Sequence, residues 1–78
     1  MPHVTIYSTP TCAFCHKAKA YFREKGIRFT DIDVSEDEFA KSAMINKSGQ
    51  MAVPVIEIGD RIIVGFDQTK IDAALYGV

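Results

Sequence analysis

The chain has two cysteines, and both lie in one short motif, Cys12-Ala13-Phe14-Cys15. No thiol is left for a framework of structural disulfides. A chain of 78 residues must then rest on packed helices and strands, and a domain this small buries only about 60% of the surface its unfolded chain exposes. The motif also marks a change of hydrophobic rhythm. Val4-Thr5-Ile6-Tyr7 before it alternates as a strand does. After it, Phe14, Ala18, Tyr21 and Phe22 fall at i, i+4, i+7 and i+8, one face of a helix. Strand, paired thiols and helix in that order demand an architecture that mixes both kinds of element.

Composition narrows the partners. Hydrophobic residues make up 47% of the chain, as in globular domains and unlike disordered ones. The net charge of -1 offers no general basic surface for nucleic acid or anionic membranes. Met1-Pro2-His3 lacks the cationic start and apolar stretch of a secretory signal. Runs such as Ile62-Ile63-Val64 fall far short of the roughly 20 apolar residues that span a bilayer. The expectation is a cytoplasmic protein, a setting in which thiols stay reduced unless they are catalytic or sensing.

The remaining segments order themselves by period and punctuation. Residues 3–8 read as the first strand, and Gly26 suits the left-handed position that ends the first helix. Residues 27–34 read as a second strand. Ser35-Glu36-Asp37-Glu38 fits a capping box opening a second helix through about Asn46, with Phe39, Ala40, Ala43 and Met44 as its apolar stripe and Ser48-Gly49 as its stop. Val53 to Ile58 and Arg61 to Gly65 form a hairpin about Gly59-Asp60. Asp67 caps a final helix with Ile71, Ala74 and Leu75 inward, and Phe66 is placed to staple against Ile71. The fold class is α/β: β-α-β-α-β-β-α, a mixed four-stranded sheet with helices on both faces, in a single domain spanning 1–78. The first two strands, separated by a helix, should be parallel.

The motif carries the chemistry. It follows the first strand, and ligands of open α/β sheets bind beyond the carboxyl ends of parallel strands. A thiolate is the nucleophile; a free cysteine titrates near about 8.5, and a helix N-terminus lowers that to roughly 3.5–7.5. Cys12, at the helix start, meets the unpaired N–H groups and the positive dipole end. Cys15, one turn in, is less exposed. Cys12 is therefore expected to attack and Cys15 to resolve. Residues three apart on a helix have Cβ atoms about 5–6 Å apart, near enough for a disulfide with modest adjustment. So short a loop constrains the unfolded chain little, so stapling does not explain the pair.

Other readings use the same residues. The pair could be buried cysteines at a coincidental spacing, or half a zinc site; structural zinc takes four ligands, and only His3 and His16 remain as ready donors. Cys12-Ala13-Phe14-Cys15-His16 also matches C-x-x-C-H, the attachment pattern of a c-type haem electron carrier, with His16 and Met44 or Met51 as axial ligands. His16 otherwise reads as an exposed helix residue or as one that tunes the thiols. Lys17 and Lys19 read as solvated charges. Asp31 and Asp33 alternate on a strand, too little for a metal site, and Met44 and Met51 as core filler.

Taken in order, Val4-Thr5-Ile6-Tyr7, Thr11-Cys12-Ala13-Phe14-Cys15, Ile32-Asp33-Val34, Ser48-Gly49-Gln50, Val53-Pro54 and Val64-Gly65-Phe66-Asp67 resemble the glutaredoxin family within the thioredoxin-like fold. The likeness spans nearly the whole chain and extends to the redoxins that serve ribonucleotide reductase. The resemblance implies a thiol–disulfide oxidoreductase with Cys12 and Cys15 catalytic. It implies that Phe14, Val53, Pro54, Gly65, Phe66 and Asp67 bind substrate. Pro54 would be cis and face the cysteines, the Val53 backbone would pair with glutathione or an extended substrate, and Gly65-Phe66-Asp67 would hold the γ-glutamyl end.

Partners so implied are disulfide-containing proteins, with glutathione or a thioredoxin-reductase-like flavoenzyme as reductant. No bound cofactor or metal is expected, glutathione serving as co-substrate, and the protein is expected to act as a monomer. Some family members instead bind an iron–sulfur cluster between two subunits, usually with a single-cysteine motif. Several positions depart from the family pattern. Ala13 and Phe14 stand where Pro and Tyr are usual, Thr9 replaces a lysine, Met51-Ala52 replaces Arg-Thr, and Gln68 replaces a second Asp. Each change removes support for glutathione or alters the first turn of the helix.

Overall fold

Seven elements follow one another as the sequence pattern requires. They are β1 (Val4–Ser8), α1 (Ala13–Glu24), β2 (Thr30–Asp33), α2 (Glu38–Ser48), β3 (Val55–Ile58), β4 (Arg61–Val64) and α3 (Gln68–Tyr76). The structure, a computed structural model, describes residues 3–77; Met1, Pro2 and Val78 lie outside the described residues. The sheet order is β2-β1-β3-β4. β1 runs parallel to β2, with Tyr7 opposite Ile32, and antiparallel to β3, with Tyr7 opposite Val55. β3 and β4 pair antiparallel, so that Ile58 faces Arg61 across the turn.

Strand alternation sends side chains to two cores. Val4 and Ile6 of β1 join Ile56, Ile58 and Ile63 from the hairpin beneath α1 and α3, where Ala18, Phe22, Ile71 and Leu75 meet them. Tyr7 and Val55 point the other way, to Met44 of α2 and Val34. Every residue of the central strand β1 is buried. Helices thus cover both faces, and the thiol motif emerges where β1 ends.

Five local expectations need correction. The α1 stripe holds at Ala18 and Phe22, with Tyr21 packed beside them, but Cys15 and Lys19 join it and Phe14, expected on it, is 58% exposed. Residue Lys19, read from sequence as a solvated charge, is 8% exposed. On α2, Asp37 replaces Ser35 as the N-cap and accepts from the Ala40 N–H at 3.0 Å. Ser35 is taken by Asp33, whose carboxylate accepts from both the Ser35 N–H and its hydroxyl, a local turn that competes with the cap. Of the expected α2 stripe, Met44 is buried and Ala40 packs beside it, but Phe39 is 91% exposed. Residues 27–29 run ahead of β2, with Ile27 packed into the α1 core.

Candidate active site

All three helices begin in the same way, with an extended residue whose side chain accepts an orphan N–H. Asp37 and Asp67 do this with carboxylates. On α1 the capping group is a thiol. Cys12 has φ -89° and ψ 113°, and its Sγ accepts from the Cys15 N–H at 3.2 Å. The Cys12 N–H donates to the Thr9 carbonyl at 3.3 Å, and the His16 N–H donates to the Cys12 carbonyl at 3.2 Å. Across from the helix mouth, the Cys12 thiol points at the Val53 carbonyl oxygen, 3.8 Å away. The sulfur therefore lies between a helix N-terminus and the segment Val53-Pro54.

The two thiols are unlike. Both are unbridged, Cys12 half-buried and Cys15 buried. Burial pushes the Cys15 thiol up to about 12, helped by its hydrogen bond with Cys12 and by charge on that sulfur, while the Thr9 backbone and the Lys19 ammonium pull the other way. Cys15 thus holds its proton at neutral pH, and Cys12 is the more exposed of the two sulfurs.

The expected binding residues assemble around this pair in part. The Val53–Pro54 peptide is cis, as the resemblance implies, and Pro54 is fully buried. The Gly65 N–H donates to the Pro54 carbonyl at 2.8 Å, tying the β4–α3 loop to the segment beside Cys12. Gly65 has φ +85°, a conformation that suits glycine because it lacks Cβ. Asp67 uses its carboxylate to cap α3, accepting from the Lys70 N–H at 3.2 Å. Phe66 turns inward, packing on the core with its ring edge-on to Tyr21 at 5.7 Å. With Lys17, Ala20, Tyr21, Glu24 and Gln68 it also lines a cavity of about 220 Å³. Phe14 stands exposed beside the motif, with the Lys17 ammonium 5.2 Å above its ring.

The rival ligand sets fare differently. Exposed His16 donates from Nε2 to the Pro10 carbonyl at 2.9 Å. Met44 lies in the α2 core, on the sheet face opposite α1, so it does not meet His16. Met51 is 64% exposed. His3 precedes β1, while the cysteines follow that strand's far end. Among the described residues, no three His, Cys, Asp or Glu side chains are grouped to hold a metal ion.

One polar cluster near the thiols escaped the sequence reading. Lys19 pairs with Asp31 at 2.8 Å, and Asp31 accepts from the Ser8 hydroxyl, also at 2.8 Å. Burial of Asp31 would raise its carboxyl, but Lys19, Ser8 and Arg23 outweigh that and hold it below the ordinary value. The signal was present in the spacing. Cys15, Ala18, Lys19 and Phe22 fall at i, i+3, i+4 and i+7, a helical face once cysteine counts as an apolar residue.

Comparison with known proteins gives a consistent result. The glutaredoxin family model matches residues 4–63. A glutaredoxin-like 8.6 kDa protein in the rubredoxin operon of Clostridium pasteurianum is 46% identical over 69 residues, covering 88% of this chain and 92% of that protein. Glutaredoxin 3 of Escherichia coli is 37% identical over 67 residues, covering 86% of this chain and 81% of its own. Among solved structures, the glutaredoxin-like NrdH-redoxin of Escherichia coli superposes with a TM-score of 0.82 at 28% identity, covering 90% of this chain and 91% of that one.

Proposed function

The chain belongs to the glutaredoxin family, with its thioredoxin-like fold, and from that premise we propose that it is a thiol–disulfide oxidoreductase working through Cys12 and Cys15. The observation that carries this reading is the position of Cys12 Sγ. It caps α1 through the Cys15 N–H at 3.2 Å, is partly accessible, and has the Val53 carbonyl on its open side. Its neighbour one turn on is buried and protonated.

In the proposed reaction, the Cys12 thiolate attacks one sulfur of a substrate disulfide. The Cys12–substrate bond forms as the substrate S–S bond breaks, and the departing sulfur takes up a proton. Cys15 then loses its proton and attacks Cys12 Sγ. A Cys12–Cys15 disulfide forms, and the second substrate thiol leaves. The substrate gains two electrons and the protein loses two. Reset requires two electrons, from a flavoenzyme reductant or from two glutathione thiols acting in turn through a mixed disulfide, so no bound cofactor enters the cycle.

The proposed substrates are protein disulfides and glutathione mixed disulfides. A thioredoxin-reductase-like flavoenzyme is the favoured reductant, with glutathione the alternative co-substrate. Three positions support that order: Thr9, Met51 and Gln68 put uncharged groups where the family usually has charged ones. A monomer in the reducing cytoplasm is the setting this reading expects.

The test uses oxidised protein supplied with NADPH and either thioredoxin reductase or glutathione plus its reductase. Turnover should be faster with the former. Cys12→Ser should abolish turnover with any disulfide. Cys15→Ser should accumulate a mixed disulfide, visible by mass spectrometry, and stop protein-disulfide reduction. Full activity of Cys15→Ser would refute the assigned roles.

A further inference from the structure

Lys19 is a buried cation that the reaction above does not use. It follows Cys15 by one turn on the same inward face of α1, with side chains 8% and 0% exposed. Residues four apart on a helix have Cβ atoms about 5–6 Å apart. Asp31 on β2 holds the Lys19 ammonium at 2.8 Å, and Ser8 holds Asp31 at 2.8 Å. Ser8 ends β1, directly before the loop that leads to the motif, and its carbonyl accepts from the Val34 N–H at 3.0 Å. The ammonium is thereby fixed from two strands, on the helix face it shares with Cys15.

Stability alone does not account for a lysine there. An ion pair whose carboxylate side chain is 43% exposed is worth little by itself, and this helix face is otherwise apolar. Charge development does account for it. The second chemical step places negative charge on Cys15 Sγ, a sulfur 0% exposed, where water cannot help and a fixed cation acts strongly.

We propose that Lys19 is a positioning residue for the resolving step: anchored by Asp31 and Ser8, its ammonium stabilises Cys15 Sγ as that sulfur becomes the nucleophile. The inference rests on the dithiol reading. Other groups acting on the Cys15 sulfur are the Cys12 sulfur and the Thr9 backbone; Arg23 acts on Asp31. The Cys15 proton passes to solvent, the Cys15–Cys12 bond forms, and the bond from Cys12 to the substrate sulfur breaks, that sulfur leaving with the bonding electron pair and departing as thiolate or, with a proton from solvent, as thiol.

The magnitude follows from two opposing effects. Each unit by which loss of the cation raises a thiol's pKa cuts the thiolate tenfold but raises its nucleophilicity, leaving a net loss of about three- to fourfold. A neighbouring opposite charge moves a pKa by about 1–3 units. Asp31 neutralises part of the ammonium's field, so the expected slowing is about 3- to 10-fold.

The test mixes reduced protein in excess with the aryl disulfide dithiobis(nitrobenzoate) in a stopped-flow spectrometer. Attack by Cys12 releases one coloured thiolate, and attack by Cys15 on the mixed disulfide releases the second. Lys19→Gln should slow the second phase about 3- to 10-fold and leave the first within about twofold of the parent, and Lys19→Arg should restore the second phase. Should Lys19→Gln not fold, Lys19→Met, which buries no polar group, carries the same expectation. A second phase unchanged in the uncharged variant, or both phases slowed together, would overturn the role of Lys19. Absence of a second phase in the parent protein would instead overturn the dithiol reading beneath it.

Discussion

The two faces of the sheet are built differently. Under α1 and α3, ten buried residues from five elements and the α1–β2 segment form one continuous cluster, with Phe22 and Ile71 fully enclosed. Under α2 the buried set shrinks to Tyr7, Val34, Met44 and Val55. There polar ties supplement the packing: Lys47 donates to Glu57 at 3.0 Å and to the Tyr7 hydroxyl at 3.3 Å. The thiol motif opens the helix that lies on the larger core. Its geometry therefore inherits the stiffness of close packing, whereas α2 is held by fewer enclosed groups and by a part-exposed ion pair worth little by itself.

The largest expected effect tests that contrast directly. Phe22→Ala should lower unfolding free energy by about 3–5 kcal/mol. Met44→Ala should lose about 2–3 kcal/mol, the low end for such a truncation, because fewer enclosed neighbours must be left around the void. Urea titrations of the two variants, read by circular dichroism, measure both values. Equal losses would erase the distinction between the faces.

A smaller effect sharpens it from the loop that joins β4 to the α3 side. Gly65→Ala should cost about 1–2 kcal/mol from the left-handed backbone alone. Nothing lies within 4 Å of where the new Cβ would stand, so no clash adds to that. A loss well beyond this range would mean that the hydrogen bond from Gly65 to Pro54 also breaks.

The last effect depends on pH and belongs to the α1 face alone. The folded state raises the Cys15 thiol from 9.0 to about 12. Below 9.0 both folded and unfolded chains keep that proton. As pH rises from there towards about 12, unfolded chains lose it first, so the reduced protein becomes less stable. Cys15→Ser should remove this component of the alkaline decline. Matching urea midpoints on either side of 9.0 for the two proteins would show that Cys15 is not so shifted.

The element order was legible because its punctuation is local. Gly26 and Gly49 adopt positive φ just after α1 and α2, and Asp67 caps α3 as its place in the sequence suggests. The thiol pair was legible because no other cysteine competes for its interpretation. What failed depended on choices between equivalent neighbours. Ser35 and Asp37 are both good caps, and the choice was made by Asp33, which captures Ser35 first. Phe14 is more hydrophobic than Cys15, yet the helix must turn Cys15 inward to bring it beneath Cys12, and Phe14 turns outward with it. The spacing places Lys19 on the face of Cys15 and Phe22, but its partner Asp31 comes from another element and leaves no local signal.

The thiol cap on α1 has a mechanical consequence. In the proposed reaction, a cargo joined to Cys12 hangs from the first turn of a helix whose buried face carries the group that evicts it. How long the cargo stays would then be timed from within the protein, by how readily that inner sulfur sheds its proton. Surface changes remote from α1 could alter which cargoes arrive while leaving their dwell time untouched.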